Sequence, residues 1–291
     1  MVSVIVPHYS DLAGLDRCLE ALEAQSYPKE WYEVVVGDNN SPEGAEAVAR
    51  VVAGRARLTI VTEKGAGPAR NGALALARFE TLAFTDSDCV PHPQWLEQGV
   101  RALGELDLVG GRMVVFAADV AHVNPVESFE LVFRFDNEDY IRRTNFTVTA
   151  NLFTRRSIFD KVGGFLATGV SEDVEWCHRA TAAGYRLGYK GDVIVRHPAR
   201  PDWPALCKMT RRMDMEMFKL RVTSNVARIQ WIFRILLYPL SAVAHTPKVL
   251  WSPNITGLGQ RMGALAVLYR IRLLRSVIGF KLLVSGAPGA A

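Results

Sequence analysis

Two aspartates two residues apart, Asp86 and Asp88, stand directly after an apolar run in LAFTDSDCVP (82–91). In extended chain both side chains point to the same side. Two carboxylates in one small site repel, so one is usually neutralised by a proton or a cation. A solvated turn is the bland alternative, because Asp and Ser favour strand ends through local hydrogen bonds. A second acidic pair, Glu172 and Asp173, follows Ser171 in GVSEDVEWCHRA. Here a helix start accounts for both acids: Ser171 can cap it, and the helix dipole favours carboxylates in a first turn. His197 in VIVRHP is either a metal ligand or a histidine packed at a strand end.

These residues need a scaffold. Residues 2–6, 33–37, 58–62 and 81–85 are short, apolar, β-branched-rich runs. Helices are expected over 11–25 with Ser10 as cap, over 42–53 opened by Pro42, and over 68–79 and 93–103. Such alternation predicts an α/β fold with a mostly parallel, Rossmann-like sheet covered by helices on both faces. Ligands of such sheets bind at the carboxyl ends of the strands. His8, Tyr9, Asp38, Asn39, Lys64, Arg70, Asp86 and Asp88 fall there, which makes a nucleotide site the default expectation. No GxGxxG or GxxxxGK[ST] occurs, so the dinucleotide and P-loop explanations lose their support. Beyond residue 103 the alternation breaks down. Gly110–Gly111 is expected to follow a short strand, 149–165 to hold a strand and a Gly-Gly turn, and Gly184 to close the helix begun at Ser171. A strand over 186–190 and then VIVRHP complete this part.

The chain has 291 residues, 49% hydrophobic and 22% charged, which suits one large domain or two smaller ones. Its four cysteines show no CxxC pairing and are expected to be reduced, as in the cytosol; Cys89 and Cys177 read as small buried hydrophobes. The start MVSVIVPHYSD lacks the features of a secretion signal. Net charge hides an asymmetry: residues 1–195 hold 19 Lys/Arg against 27 Asp/Glu, a balance of −8, and residues 196–291 hold 15 against 3, a balance of +12. An acidic body with a basic tail suggests an anionic partner for the tail, such as substrate phosphates or the inner face of a membrane. No nucleic-acid reader motif accompanies the charge, so nucleic acid is not expected.

The ordered set VSVIVPHYSD, VVVGDNN, KGAGPARNGAL, FTDSDCVP, TANLFTRR, SEDVEWCHRA and VIVRHP resembles the family 2 glycosyltransferases of the GT-A fold, over about residues 1–200. The resemblance implies an inverting, single-sugar transfer from a nucleoside diphosphate sugar, with a UDP-sugar favoured. Pro7, Tyr9 and Asp38 match positions that hold the base, and Arg70 lies in the matching loop after the third strand. Asp86 corresponds to the first DxD carboxylate, near the ribose, and Asp88 to the ligand of a Mg²⁺ or Mn²⁺ bridging the diphosphate. His197 matches a further metal ligand. Asp173 would be the general base acting on a hydroxyl of a glycan or lipid-linked acceptor, with Glu172 supporting the donor site. Two departures stand out: Asn39 and Asn40 follow Asp38 where the family often has a second aspartate, and the QxxRW motif of processive synthases is missing, with CKMTRRM (207–213) in its place.

Residues 1–200 are thus expected to form the catalytic domain and 201–291 a basic, apolar helical region. In the latter, Arg211 and Arg212 are candidate diphosphate contacts. The uninterrupted apolar stretch 235–244 is shorter than the ~20 residues of a membrane span. Trp, Tyr and Arg mixed with aliphatics there suggest a peripheral, membrane-lying segment on the cytoplasmic face. Packing onto the catalytic domain or onto a second copy in a homo-oligomer is the alternative, and SGAPGAA (285–291) reads as a disordered tail. Two rival functions remain at this level. One is a HAD-like phosphatase with Asp86 as nucleophile, and the other a non-catalytic scaffold that binds nucleotide sugars.

Overall fold

The computed structural model describes residues 1–167 and 171–285, which form two compact units. The first comprises Met1–Val114, residues 135–167 and Glu172–His197; the second comprises Val115–Arg134, Ser171 and residues 198–285. The expected tail, Ser285 apart, lies outside the described residues.

The chain enters through β1 (Val2–His8), α1 (Leu12–Glu23), β2 (Tyr32–Asp38), α2 (Ala45–Val52), β3 (Arg57–Ile60), α3 (Ala66–Leu76) and β4 (Thr81–Phe84). The four strands pair in parallel in the order β3-β2-β1-β4, with His8 opposite Asp38 at their carboxyl ends. Side chains alternate across them. Val2, Val4, Val6, Val34, Val36 and Ala83 join Leu15, Leu19 and Leu22 of α1 and Val48 and Val52 of α2 on one face. Ile5, Val35, Leu82 and Phe84 face the other side, against Ala73 of α3. That two-residue period sorting into two cores is why the strands read as apolar throughout.

The remaining elements are β5 (Val90–Pro91), α4 (Trp95–Ala102), β6 (Leu108–Phe116), α5 (Pro125–Phe133), α6 (Asn137–Thr144), β7 (Leu152–Arg155), α7 (Arg156–Val162), α8 (Glu172–Ala182) and β8 (Leu187–Pro198). They extend the sheet as β7-β6-β8-β5, for eight strands in all. Here β4–β7, β7–β6 and β8–β5 pair antiparallel, so the α/β expectation holds while the sheet beyond β4 is mixed. Trp95 of α4 joins the first core, and Phe159 of α7 and Trp176 of α8 the second.

Several local expectations are corrected. Asp11, not Ser10, caps α1, its carboxylate accepting from Gly14 N at 2.8 Å; Ser10 itself adopts a left-handed φ of 53°. Helix α2 starts at Ala45 behind Gly44, whose φ is +85°, rather than at Pro42. Gly110 and Gly111 do not follow a strand but lie inside β6. A Cβ on Gly110 would come within 2.3 Å of Thr147 Oγ1, and one on Gly111 within 2.2 Å of the Val193 carbonyl oxygen. Close approach, not a turn, explains the pair. Residues 187–198 form one continuous strand instead of two.

In the second unit, α9 (Trp203–Arg221), α10 (Asn225–Leu250) and α11 (Gly257–Ser285) join α5. Helices α10 and α11 run antiparallel, with Val249 O accepting from Arg261 near the turn and Ile235 O accepting from Ser276 Oγ further along. The apolar stretch 235–244, expected to be shorter than a span, lies within a longer helix, since α10 continues through both Pro239 and Pro247. Pro239 has no N–H to give the carbonyl four residues before it, Ile235 O. Ser276 Oγ donates to that oxygen at 2.9 Å and satisfies it. The resulting 26-residue helix is, by length and composition, long and apolar enough to cross a membrane.

Candidate active site

The nine candidates for base, donor and metal binding lie in the first unit, whereas Arg211 and Arg212 of α9, the candidate diphosphate contacts, belong to the second. The parallel register carries Pro7 and Asp38 to one rim, since Pro7 pairs with Gly37 and His8 with Asp38. Asp38 is 1% exposed, and its carboxylate accepts from Ser41 N at 3.0 Å and Ser41 Oγ at 2.5 Å. His8 lies 3.9 Å from Asp38 with both ring nitrogens buried and without a hydrogen-bond partner. Burial holds its pKa below the ordinary value against the opposing pull of Asp38, which favours the neutral ring. Tyr9 projects outward, 60% exposed.

The departure after Asp38 has a structural reason. Asn39 Nδ2 donates to Val61 O and Glu63 O, and Asn39 Oδ1 accepts from Gly65 N at 2.8 Å. One side chain thus pins the loop between β3 and α3, and an aspartate could not supply the two donations. Asn40 has φ 56°, a left-handed conformation that Asn tolerates well.

Arg70, on α3, is 3% exposed and joins two candidates 86 residues apart in sequence. Its Nη2 donates to Asp86 Oδ1 and its Nη1 to Glu172 Oε1, both at 2.7 Å. Burial disfavours the guanidinium charge, but Asp86 and Glu172 together outweigh it and raise its pKa. Arg70 is therefore a permanent cation bridging the end of β4 to the first turn of α8. Next to Glu172, Asp173 Oδ1 accepts from Val174 N at 2.8 Å. Burial first, and then the Glu172 charge, push its carboxyl from an ordinary 3.8 up to about 7. Tyr140, stacked on Phe146 at 5.0 Å, stands close enough to feel the Asp173 charge.

Asp88 and His197 are brought together by a ladder. β5 pairs antiparallel with β8, Val90 opposite Arg196 and Pro91 opposite Val195, so residues just before Val90 meet those just after Arg196. His197 Nε2 stands 3.4 Å from Asp88 Oδ2, and its ring packs on Phe135 at 5.0 Å. Burial raises the Asp88 pKa, with His197 opposing and Asp86 assisting the rise. Cys89 completes a group whose donor atoms all lie within 4.8 Å of one another. Burial and the two aspartates hold the Cys89 thiol well above its ordinary pKa, which leaves it a poor ligand. A carboxylate oxygen and an imidazole nitrogen remain, a donor pair that suits Mg²⁺ or Mn²⁺ completed by phosphate oxygens.

Sequence reasoning missed Ser41, Tyr140 and the role of Asn39. The spacing Asp38-x-x-Ser41 is a readable turn signal for the first. Nothing local announces Tyr140, which the fold brings to α8 from 33 residues upstream.

A family model for glycosyl transferase family 2 matches residues 3–163. Glycosyltransferase AglE of Haloferax volcanii is 34% identical over 269 residues, covering 89% of this chain and 86% of its own. The pre-mycofactocin glycosyltransferase of Mycobacterium tuberculosis is 30% identical over 222 residues, which span 70% of this chain and 44% of that one. Among solved structures, mannosyltransferase PcManGT from Pyrobaculum calidifontis, in complex with GDP-Man and Mn²⁺, superposes with a TM-score of 0.64 at 21% identity, covering 100% of this chain and 88% of that one. The S. aureus TarS fragment 1–349 with UDP-GlcNAc gives 0.52 at 18% identity, with 93% and 81% covered. The structural likenesses establish the GT-A fold, and with the family match and the AglE relationship they make the protein an enzyme: the chain belongs to glycosyl transferase family 2.

Proposed function

We propose that the protein transfers one sugar, with inversion, from a nucleoside diphosphate sugar to a hydroxyl of a glycan or lipid-linked acceptor. A UDP-sugar is the donor we favour. The observation that carries this reading is the convergence of Asp86, Arg70, Glu172 and Asp173 at the strand ends, beside the Asp88–His197 pair. Pro7, Tyr9 and Asp38 lie on the rim assigned to the base, and Asp86 on that assigned to the ribose.

Asp88 and His197 would hold a Mg²⁺ or Mn²⁺ ion, which when bound supplies the positive charge that offsets the leaving diphosphate. Asp173 accepts the proton of the acceptor hydroxyl. The acceptor oxygen then attacks the anomeric carbon from the face opposite the diphosphate, and the sugar–phosphate C–O bond breaks with its electron pair leaving on the nucleotide. With its carboxyl pushed up to about 7, Asp173 has the raised proton affinity that suits a general base working near neutral pH. Arg70 fixes Glu172, and through it the first turn of α8 that carries Asp173. The phosphatase alternative is disfavoured, because Asp86 is tied to the Arg70 guanidinium and so blunted as a nucleophile.

We place the enzyme peripherally on the cytoplasmic face of a membrane. What supports this is the basic balance of residues 196–291 together with the exposed Phe233, Leu236, Leu240, Phe280 and Val284 on α10 and α11. The test of the catalytic reading is thermal melting of wild type and Asp88→Ala with UDP, GDP and dTDP, each with and without Mn²⁺. A ligand at 100 times its Kd stabilises by about 2.7 kcal/mol. A metal-dependent shift with UDP that the variant loses supports the site, whereas no shift with any nucleotide refutes it.

A further inference from the structure

Three arginines surround one ring in the second unit. The guanidinium of Arg234, on α10, lies 5.7 Å from the centroid of the Tyr238 ring, and those of Arg272 and Arg275, on α11, lie at 6.0 and 4.7 Å. Arg221, at the end of α9, is near enough to sense Arg234. Arg275 is neutralised by Asp214 of α9, which accepts from its Nη2 at 2.6 Å. Among the described residues, Arg221, Arg234 and Arg272 form no ion pair, and Arg272 Nε is buried without a hydrogen-bond partner. Burial, and then the neighbouring guanidinium groups, lower the pKa of both Arg221 and Arg272. Like charges held this close are unfavourable unless an anion is shared between them.

A groove of about 450 Å³ opens on this cluster, with Arg234, Arg272, Tyr238 and Ser241 at its polar side and Phe233 and Leu237 as apolar walls. Phe233 and Leu237 belong to an exposed apolar face of α10 that continues through Leu236, Leu240 and Val243. The facing part of α11 exposes Leu273, Val277 and Phe280. Free phosphate has no use for such walls, and an apolar protein surface has none for two guanidinium groups without an ion-pair partner.

We propose that this groove is a headgroup site for a membrane lipid carrying a terminal phosphate, with Arg234 and Arg272 holding the phosphate oxygens and the acyl chain lying along Phe233 and Leu237. Arginine suits the task because its planar fork donates two parallel hydrogen bonds to a phosphate, which a lysine cannot. Tyr238 orients the fork, since Arg234 Nε donates to its hydroxyl at 2.8 Å. The proposal rests on the interfacial reading of α10 and α11 and goes beyond it, because surface attraction alone does not distinguish one anionic lipid from another.

The experiment is flotation of the full-length protein with three kinds of vesicle: phosphatidylcholine alone, the same doped with phosphatidic acid, and the same doped with oleic acid to an equal measured surface potential. Wild type is expected to prefer the phosphatidic acid vesicles. Arg272→Gln should cost about fivefold in that binding, as for one basic residue at a membrane surface. Arg272→Lys, which keeps the charge and loses the fork, should show most of the same loss, while Lys281→Gln on the same helix should leave the preference intact. Melting curves for each variant exclude misfolding as the cause. Equal binding to phosphate and carboxylate vesicles, or an unchanged Arg272→Lys, overturns the site while leaving the interfacial reading standing. Failure to bind any vesicle overturns both, and full competition by glycerol phosphate at matched phosphate concentration overturns the lipid assignment.

Discussion

Replacing the proposed base by its neutral isostere should stabilise the protein while disabling it. Asp173 is pushed from an ordinary 3.8 to about 7, by burial first and the Glu172 charge second. The folded state therefore holds this proton more tightly than the unfolded chain does. Stability from this group is complete below about pH 4, falls as pH rises through about 7, and stays at its reduced level above that. At about 1.4 kcal/mol per pKa unit the loss is bounded at about 4 kcal/mol. Water and relaxation around a half-buried carboxylate bring the net to about 1–2 kcal/mol. In Asp173→Asn the side-chain oxygen still accepts from Val174 N but never ionises. At about pH 8 the variant should melt about 2–6 °C above wild type, and at about pH 5 the gap should shrink. Paired melting scans in EDTA at the two pH values give the answer. In the same variant transfer should fall by about 10²–10⁴-fold, the usual worth of a positioned proton acceptor. A variant less stable at both pH values, or a gap that does not change with pH, refutes the account of Asp173.

Other outcomes follow from single contacts. Arg70→Gln removes a cation that lowers the Asp173 pKa, so the acid limb of the pH–rate profile should move to higher pH; a purely structural role would reduce the rate without moving that limb. Asn39→Asp loses both donations to the loop between β3 and α3 and sets a carboxylate against two carbonyls, so denaturant unfolding should show a loss of about 1–3 kcal/mol. Ser276→Ala leaves the carbonyl freed by Pro239 without a partner and should cost about 1 kcal/mol or more, whereas Ser276→Thr should keep most of the stability. Gly110→Ala drives a methyl group into Thr147 and Ile141 and should destabilise by about 1–3 kcal/mol in the same assay.

What the sequence disclosed divides along the range of the interactions. Strands β1 to β4 are short apolar runs bounded by turn residues, and their carboxyl ends locate Asp38 and Asp86 without any knowledge of the fold. The mixed half of the sheet was not legible. Gly110 and Gly111 look in isolation like residues past the end of a strand, and only the crowding by Thr147, Asn151 and Val193 shows that they are strand residues stripped of side chains. The length of α10 was not legible either: the carbonyl that Pro239 leaves free is satisfied by Ser276 on another helix, 37 residues downstream. In the site, Asp88 and His197 are assembled by the β5–β8 ladder and Asp86 and Glu172 by Arg70. Residue types could nominate these members, but the pairings are tertiary facts.

The charges of the site argue for its chemistry. Asp86, Asp88, Glu172 and Asp173 cluster at the strand ends against one guanidinium and one imidazole. Arg70 engages Asp86 and Glu172, and the pKa values of the two remaining carboxyls, Asp88 and Asp173, are both raised. A fold selected only for stability would neutralise that excess with another arginine or replace one acid by an amide. The opposite end of the sheet does the former: buried Glu33 accepts from Ser3 at 2.7 Å and meets Arg57 and Arg78, which together hold its pKa below the ordinary value despite its burial. The same protein thus compensates an acid fully at Glu33 and leaves two under-compensated at the rim. On the proposed chemistry each has its reason. Asp88 is kept for a divalent cation that arrives with the diphosphate, and Asp173 for a proton that must be taken up and released within a turnover. Local electrostatic conflict retained at a cost in stability is the expected mark of a working site.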